Sequence, residues 1–220
     1  MVTHTICEYD KLLIKLFEKK NYEIHVLNIM NLSRKIFKEK YERVTEQSEG
    51  QCDYIALESK IKFDAKLPFE PWQIELLTNG KKHEADVMGW LNVLKEESIY
   101  EPLEHRCNRN YIKEKKLYQI MKMQIEKDRP DENIIFFIPY PIVYSESTSV
   151  FGQFASDYLD ALYEALEKEV NLESREIFII YPASEKNQFA IRTMKKTIVE
   201  YVYYEGMEEY FSYETMIRVE

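Results

Sequence analysis

Two uninterrupted apolar segments constrain the fold of this chain more than any other feature. Residues 133–145 read "NIIFFIPYPIVYS" and residues 175–182 read "REIFIIYP", and neither segment alternates apolar and polar side chains. Strands buried on both faces have this composition, because a strand with one solvated face carries a polar residue at every second position. Pro139 and Pro141 lack the N–H group that a ladder requires, so they mark where the first strand must end. The two segments therefore predict a central sheet that is covered by helices.

The segments around these strands predict a mixed α/β domain. Apolar residues at helical spacing predict helices, and short apolar or β-branched runs bounded by turn residues predict strands. The predicted helices are 8–20, 22–41, 83–97, 110–127 and 153–169, and the other predicted strands are 41–47, a hairpin within 52–69, and 187–205 as two strands or one bent strand. Helices, a three-stranded meander, more helices and strands alternating with a helix follow one another, which is typical of a mixed sheet flanked by helices.

The composition excludes several classes of protein. Of the 220 residues, 45% are hydrophobic and 14% are aromatic, which is too apolar for a disordered chain. No apolar run approaches the roughly 18 residues that a membrane-spanning helix needs. The N-terminus lacks the basic-then-apolar layout of a signal peptide, and the three cysteines include no CxxC pair, which fits a reducing compartment. We therefore expect a cytoplasmic protein with no membrane partner.

The segment 52–69, "CDYIALESKIKFDAKLPF", places three charged residues on an apolar hairpin. With a two-residue turn at 58–59, the numbers of opposed residues add to 117, and Asp53 lies opposite Asp64. Directly opposed residues share one face, and Lys66, two residues beyond Asp64, shares that face too. A four-residue turn at 58–61 would instead pair Asp53 with Lys66 and keep all three on one face, whereas a three-residue turn would separate them.

Two carboxylates and one ammonium group suit the hydrolysis of phosphodiesters. Opposed carboxylates repel each other, so a divalent cation or Lys66 must compensate them. Mg²⁺ prefers carboxylate oxygens and keeps positions for water and phosphate. Such an ion polarises the scissile phosphate and lowers the pKa of a bound water, and the lysine stabilises charge on the phosphate or orients the attacking water. We therefore expect Mg²⁺ or Mn²⁺ as the cofactor.

The spacing of these residues resembles that of a known nuclease superfamily. Asp53 is followed by ten residues and then by "DAK" at 64–66, on a hairpin that comes after a helix and a strand. This pattern is similar to the PD-(D/E)xK, or restriction-endonuclease-like, superfamily, whose common core is α-β-β-β-α-β. The resemblance implies that Asp53 and Asp64 are catalytic metal ligands and that Lys66 is the catalytic lysine. It also implies an acidic metal ligand from the preceding helix, for which Glu23 is the predicted residue.

Two alternatives and two departures accompany this resemblance. Glu39 is the rival to the predicted acidic ligand from the helix. A second match to the motif, Glu58-Ser-Lys at 58–60, begins only five residues after Asp53, which is too close for the two to face each other across a hairpin. Cys52 stands where the superfamily pattern has proline, and Asp64 stands where glutamate is more common.

The resemblance also implies a domain organisation. It covers residues 22 to about 70 closely and the later strands only in outline. We expect one domain over 1–220, with a nuclease-like core that starts near residue 22 and a helical insertion at about 70–130.

A local run of basic residues is the predicted contact surface for DNA. The chain has a net charge of −9, which weighs against a protein that mainly coats nucleic acid. Residues 106–122, however, contain six basic residues against one acidic residue. Arg109, Lys113 and Lys116 recur at spacings of four and three, so they share one face of a helix. These three residues are the predicted nucleic-acid-binding residues.

Two functions remain open from the sequence. The first is a metal-dependent nuclease, either an endonuclease or an exonuclease, that hydrolyses DNA. The second is a catalytically inactive nuclease-like fold that acts as a binding or assembly module. The two aspartates and the lysine favour the first, and the acidic net charge favours the second. The sequence leaves the oligomeric state open, including a homodimer.

Overall fold

A computed structural model of the chain describes residues 21–44, 52–68, 112–113, 116–138, 148–172, 174–183, 185, 187–195 and 198–207. For residues 116 and 148–158 it describes the backbone alone. The predicted helices at 8–20 and 83–97 lie outside these residues, and so does most of the helical insertion predicted at about 70–130.

In the described part of the chain, seven strands form one mixed sheet and lie side by side in chain order. The strands are β1 (Tyr41–Arg43), β2 (Tyr54–Ala56), β3 (Lys62–Lys66), β4 (Asn133–Phe137), β5 (Ile177–Pro182), β6 (Gln188–Thr193) and β7 (Val199–Tyr203). β3, β4 and β5 run parallel to one another. The pairs on either side of them are antiparallel. The prediction of a mixed sheet with helices is therefore confirmed.

β4 and β5 lie at the centre of the sheet, as their apolar sequences predict. Every residue of β5 is buried, and so are the last four residues of β4. The side chains of β4 alternate between two cores, since Ile135 and Phe137 pack in one and Ile134 and Phe136 pack in the other. Both faces of these strands are covered, which is why their sequences contain no polar alternation. β4 ends two residues before Pro139.

Helices cover both faces of the sheet. They are α1 (Asn21–Leu32), α2 (Lys116–Lys127) and α3 (Thr148–Glu169). α1 packs on the face that carries Ile135, and α2 and α3 pack on the opposite face. Val26, Ile29 and Met30 of α1 are completely buried, and each contributes about 1.5–3 kcal/mol of burial free energy. α1 contacts both β1 and β7, so the sheet curls around this helix.

The prediction of a helix over 22–41 is wrong at its C-terminal end, because α1 ends at Leu32. The segment that follows is held by the carboxylate of Glu200 in β7. Ser33 Oγ donates to this carboxylate, and the N–H groups of residues 34–36 donate to it over 2.7–3.2 Å. These hydroxyl and N–H groups therefore donate to a residue far along the chain instead of to carbonyls of the preceding helical turn. The local periodicity of the sequence cannot predict such a long-range contact.

The remaining boundaries differ less from the prediction. β1 ends at Arg43, α2 is assigned from Lys116 rather than from residue 110, and α3 begins at Thr148 rather than at residue 153. The segment predicted as two strands or one bent strand at 187–205 forms two strands, β6 and β7. No helix within the described ranges is long and apolar enough to cross a bilayer.

Candidate active site

The hairpin of β2 and β3 has the first of the two registers that the sequence left open. Tyr54 pairs with Phe63, and the Ala56 N–H group donates to the Ile61 carbonyl at 2.9 Å. The numbers of facing residues therefore add to 117. The turn is longer than the predicted two residues, since residues 57–60 lie outside the ladder. The alternative match to the motif falls in this exposed turn, away from the sheet face that carries the predicted site.

Asp53 lies where the regular pairing of β2 with β3 stops. Its N–H group donates at 3.0 Å to the carbonyl of Phe63, the residue that pairs with Tyr54, so the strand bulges at this point. Asp53 Oδ2 accepts a hydrogen bond of 2.8 Å from the Ala65 N–H group. The Asp53 carboxylate thus takes the place of the backbone carbonyl that would accept from the Ala65 N–H group in a regular ladder. Asp53 is only 5% exposed.

The raised pKa of Asp53 and the lowered pKa of Asp64 imply one proton between the two carboxyl groups at neutral pH. Burial, the hydrogen bond with Asp64 and the negative charge of Asp64 raise the pKa of Asp53 to about 8. Burial also opposes ionisation of Asp64, but the hydrogen bonds from Asp53 and Lys66 outweigh it and lower the pKa of Asp64. Two carboxyl groups this close cannot both ionise easily. A divalent cation would replace the shared proton as the compensating charge.

Lys66 points to the same site. Its Nζ atom forms an ion pair with Asp64 and lies 3.6 Å from Asp128 Oδ1. Burial lowers the pKa of Lys66, but the negative charges of Asp64 and Asp128 outweigh this effect and raise the pKa. The structure therefore brings together all three predicted catalytic residues, Asp53, Asp64 and Lys66.

Two further acidic residues, Asp128 and Glu132, complete a cluster that the sequence analysis missed. One carboxylate oxygen from each of Asp64, Asp128 and Glu132 lies within 4.8 Å of the others. Gln124 Nε2 donates to the Leu67 carbonyl at 2.8 Å and fixes α2 beside the end of β3, one helical turn before Asp128. Burial is the largest cause of the raised pKa of both Asp128 and Glu132. The available signal was the run "KDRPDEN" at 127–133, which returns the chain to a buried strand.

Glu23 lies behind Asp53, and its rival Glu39 lies elsewhere. Glu23 is completely buried, pairs with Arg43, and its negative charge contributes to the raised pKa of Asp53. Glu39 accepts hydrogen bonds from the N–H groups of Glu58 and Ser59 and from the Ser59 hydroxyl, at the far end of the hairpin. The structure thus brings Glu23, and not Glu39, next to the aspartate pair. The assignment of Glu23 as a metal ligand stays a prediction.

The predicted nucleic-acid-binding residues are only partly described. Arg109 and the side chain of Lys116 lie outside the described residues. Lys113 forms an ion pair with Glu169 at the end of α3, and Lys122 pairs with the same carboxylate at 3.0 Å. Hydrogen bonds from Lys113, Tyr118 and Lys122 lower the pKa of Glu169 to about 2. Part of the positive charge of this segment is therefore neutralised within the molecule.

The donor set of the site fits a hard divalent cation. The site offers only carboxylate oxygens, from Asp53, Asp64, Asp128 and Glu132. Mg²⁺ and Mn²⁺ prefer such ligands, whereas softer metals prefer sulfur or imidazole nitrogen. Asp64 lies between two sets of carboxylates, because it contacts Asp53 on one side and Asp128 on the other.

Comparisons with known proteins identify no family for this chain. No family model matches it, and no curated protein and no solved structure matches it significantly. The resemblance to the PD-(D/E)xK superfamily therefore rests on the residues and elements described above.

Proposed function

We propose that this chain is a metal-dependent nuclease that hydrolyses phosphodiester bonds in DNA. One observation supports the proposal most strongly. Asp53, just before β2, and Asp64 and Lys66 in β3 converge on one partly buried site, where Asp64 interacts with both Asp53 and Lys66. Buried carboxylates with perturbed pKa values in contact with a lysine are typical of catalytic sites.

The order of elements also supports a restriction-endonuclease-like core. Within the described ranges, which leave out residues 69–111, the elements α1, β1, β2, β3, α2 and β4 occur in the order α-β-β-β-α-β, which is the order that the resemblance implies. The meander is antiparallel, and β4 is parallel to β3. Asp53, just before β2, lies near Glu23 of the first helix, whereas Asp64 and Lys66 lie on the face of β3 opposite Phe63 and Ala65, which pack against that helix.

The residues of the site have distinct roles in the proposed reaction. Asp53 and Asp64 would hold Mg²⁺ or Mn²⁺. When bound, the ion would polarise the scissile phosphate and lower the pKa of a bound water. Asp53 releases its proton when it becomes a ligand. Lys66 is a cation next to Asp64 and stabilises negative charge on the phosphate. Glu23, held by Arg43, keeps Asp53 in an acidic setting and so favours its exchange of a proton for a cation.

The second candidate is an inactive module that binds or assembles with a partner. The ion pair between Lys113 and Glu169 favours it, because Lys113 is one of the residues predicted to contact phosphate and its charge is already neutralised by Glu169. The acidic net charge of −9 favours it too. In this case the carboxylates and Lys66 would form a structural ion-pair cluster.

A cleavage assay tests the nuclease proposal. Purified protein is incubated with supercoiled plasmid, linear duplex and single-stranded DNA in millimolar Mg²⁺ or Mn²⁺, with EDTA as the blank. We expect metal-dependent cleavage, and cleavage of the circular plasmid identifies an endonuclease. Asp64→Asn and Lys66→Ala should each lower the rate by roughly 100-fold or more, because each removes electrostatic stabilisation of the transition state.

Glu58→Gln and Lys60→Ala are matched controls, because they change the second match to the motif in the exposed turn. Both should leave the cleavage rate unchanged. If the wild-type protein cleaves none of the three substrates with either metal, the nuclease proposal is wrong and the binding module is the better function.

A further inference from the structure

We propose that Asp64, Asp128 and Glu132 form a second divalent-cation site, separate from the one expected at Asp53 and Asp64. The two sites share Asp64, so the proposal extends the proposed function from one cation to two. Its evidence is independent of the nuclease resemblance, because Asp128 and Glu132 lie outside the motif that carries that resemblance.

The geometry of the three carboxylates is suited to one ion. Their oxygens lie within 4.8 Å of one another, and oxygen ligands on opposite sides of a Mg²⁺ or Mn²⁺ ion are about 4.2 Å apart at the usual bond length. The three residues come from different elements. Asp64 lies in β3, Asp128 follows α2, and Glu132 immediately precedes β4. The loop that carries Asp128 and Glu132 is anchored, since Ser174 Oγ donates to the Pro130 carbonyl at 2.7 Å.

Two buried carboxylate oxygens of this cluster accept no hydrogen bond from the described residues. Glu132 is 2% exposed and its Oε1 atom accepts no hydrogen bond from the described residues. Its nearest cation there is Arg129, whose Nη1 atom lies 3.8 Å away on a half-exposed side chain. The side chain of Asp128 is 9% exposed, and its carboxylate accepts a hydrogen bond from the Arg129 N–H group, but its buried Oδ2 atom accepts none from the described residues. Buried carboxylate oxygens without donors are costly, and a bound cation removes that cost.

The charge balance points to a divalent ion. Asp64, Asp128 and Glu132 are accompanied by the partly buried ammonium of Lys66, which contacts Asp64 and Asp128, and by the half-exposed guanidinium of Arg129, which lies 3.8 Å from Glu132. When all three carboxylates are ionised, they exceed the charge of Lys66 by two negative charges, and the solvent-exposed Arg129 offsets only part of this excess. A divalent cation neutralises this excess, and it would also relieve Lys66 of its contact with Asp128. Lys66 would then be available to a phosphate at the neighbouring site.

Counting bound Mn²⁺ in single variants tests the proposal. The spectrum of free Mn²⁺ in electron paramagnetic resonance gives the number of bound ions and their dissociation constants at neutral pH. We expect two ions in the wild type. Glu132→Gln and Asp128→Asn should each lose one ion or bind it with a dissociation constant raised by more than about 10–100-fold. That range is the usual effect of removing a residue that only supports a ligand, and a ligand itself should matter more. Asp53→Asn should lose the other ion, and Asp64→Asn should lose both.

Asp131→Asn is the matched control, because Asp131 is an exposed acid in the same loop, and this variant should bind two ions. Thermal melts of all variants verify that they are folded. Two results would overturn the second site: Glu132→Gln and Asp128→Asn bind as many ions as the wild type with the same affinity, or one ion in the wild type is lost equally in Glu132→Gln and Asp53→Asn.

The two proposals can fail separately. If wild-type protein cleaves DNA while Glu132→Gln keeps two ions, the nuclease stands and the second site is wrong. If Glu132→Gln loses one of two ions while the wild type cleaves no DNA, the second site stands and the nuclease is wrong.

Discussion

The buried carboxylate of Glu200 and the buried carboxylates of the candidate active site have opposite environments. Glu200 accepts hydrogen bonds from the Ser33 hydroxyl and from the N–H groups of residues 34–36. Burial alone would raise the pKa of Glu200, but these donors outweigh it and lower the pKa. Asp53, by contrast, faces Asp64 and Glu23, and its pKa is raised to about 8.

This difference separates a structural carboxylate from a functional one. A carboxylate that is surrounded by donors stabilises the fold, and here it fixes the end of α1 against β7. Carboxylates that are packed against one another destabilise the fold at neutral pH, so their presence requires another reason. The proposed binding of a divalent cation would supply that reason.

The largest expected effect on stability follows from removal of the Glu200 carboxylate. Glu200→Ala leaves a buried hydroxyl and three backbone N–H groups without their acceptor, and it should lower the free energy of unfolding by about 3 kcal/mol. Urea unfolding monitored by circular dichroism measures this value. Glu205→Ala, at an exposed position, is the control and should change it little. A loss below about 1 kcal/mol for Glu200→Ala would show that the donors find other partners.

The next effect is stabilisation of the carboxylate-rich site by metal. A ligand that binds only the folded state stabilises it by about 2.7 kcal/mol at 100 times its dissociation constant. Mn²⁺ should therefore raise the Tm of the wild type and of Glu200→Gln, but should raise that of Asp64→Asn much less. Thermal melts with and without Mn²⁺ compare the three proteins. Equal shifts in wild type and Asp64→Asn would remove the main reason for placing a site here.

A smaller effect follows from the pKa of Asp53 in the metal-free protein. An unfolded aspartate titrates near pH 4, whereas Asp53 in the folded state titrates at about 8. Between these values the folded state holds a proton that the unfolded state has lost, so stability should fall as pH rises from about 4 to about 8. Asp53→Asn keeps an oxygen for the Ala65 N–H group and should lack this fall, so its stability relative to the wild type should increase as the pH rises from about 4 to about 8.

Urea unfolding of both proteins at several pH values, in EDTA, measures this difference. Parallel pH profiles for the wild type and Asp53→Asn would contradict the shared proton.

The smallest effect concerns Glu39, an exposed carboxylate that is also rich in donors. Hydrogen bonds from the Ser59 hydroxyl and from backbone N–H groups of the turn lower the pKa of Glu39. Glu39→Ala should therefore lower the Tm, but by less than Glu200→Ala, because solvent can replace the lost acceptor. It should leave Mn²⁺ binding unchanged. A variant that binds Mn²⁺ more weakly would show that the turn end of the hairpin contributes to the site.

The motif half of the site was predictable because it is local. A period of two along each strand and a hairpin with an even number of turn residues are enough to put Asp53, Asp64 and Lys66 on one face. The register came out as predicted even though the turn contains four residues rather than two. Asp128 and Glu132 were not predictable in this way, because they reach the site through the crossover from β3 to β4.

The sequence by itself determined the buried strands β4 and β5, because an apolar run without alternation has no other stable place than the centre of a covered sheet. It also determined that Asp53, Asp64 and Lys66 share one face in either of the two registers that it left open. The tertiary structure alone decided where α1 ends, since Glu200 supplies the acceptor that replaces its last turn. It alone decided that Glu23 rather than Glu39 stands beside Asp53, and that Asp128 and Glu132 join Asp64. Each of these contacts links residues that no local periodicity relates, so only the packing of the curled sheet against its helices could establish them.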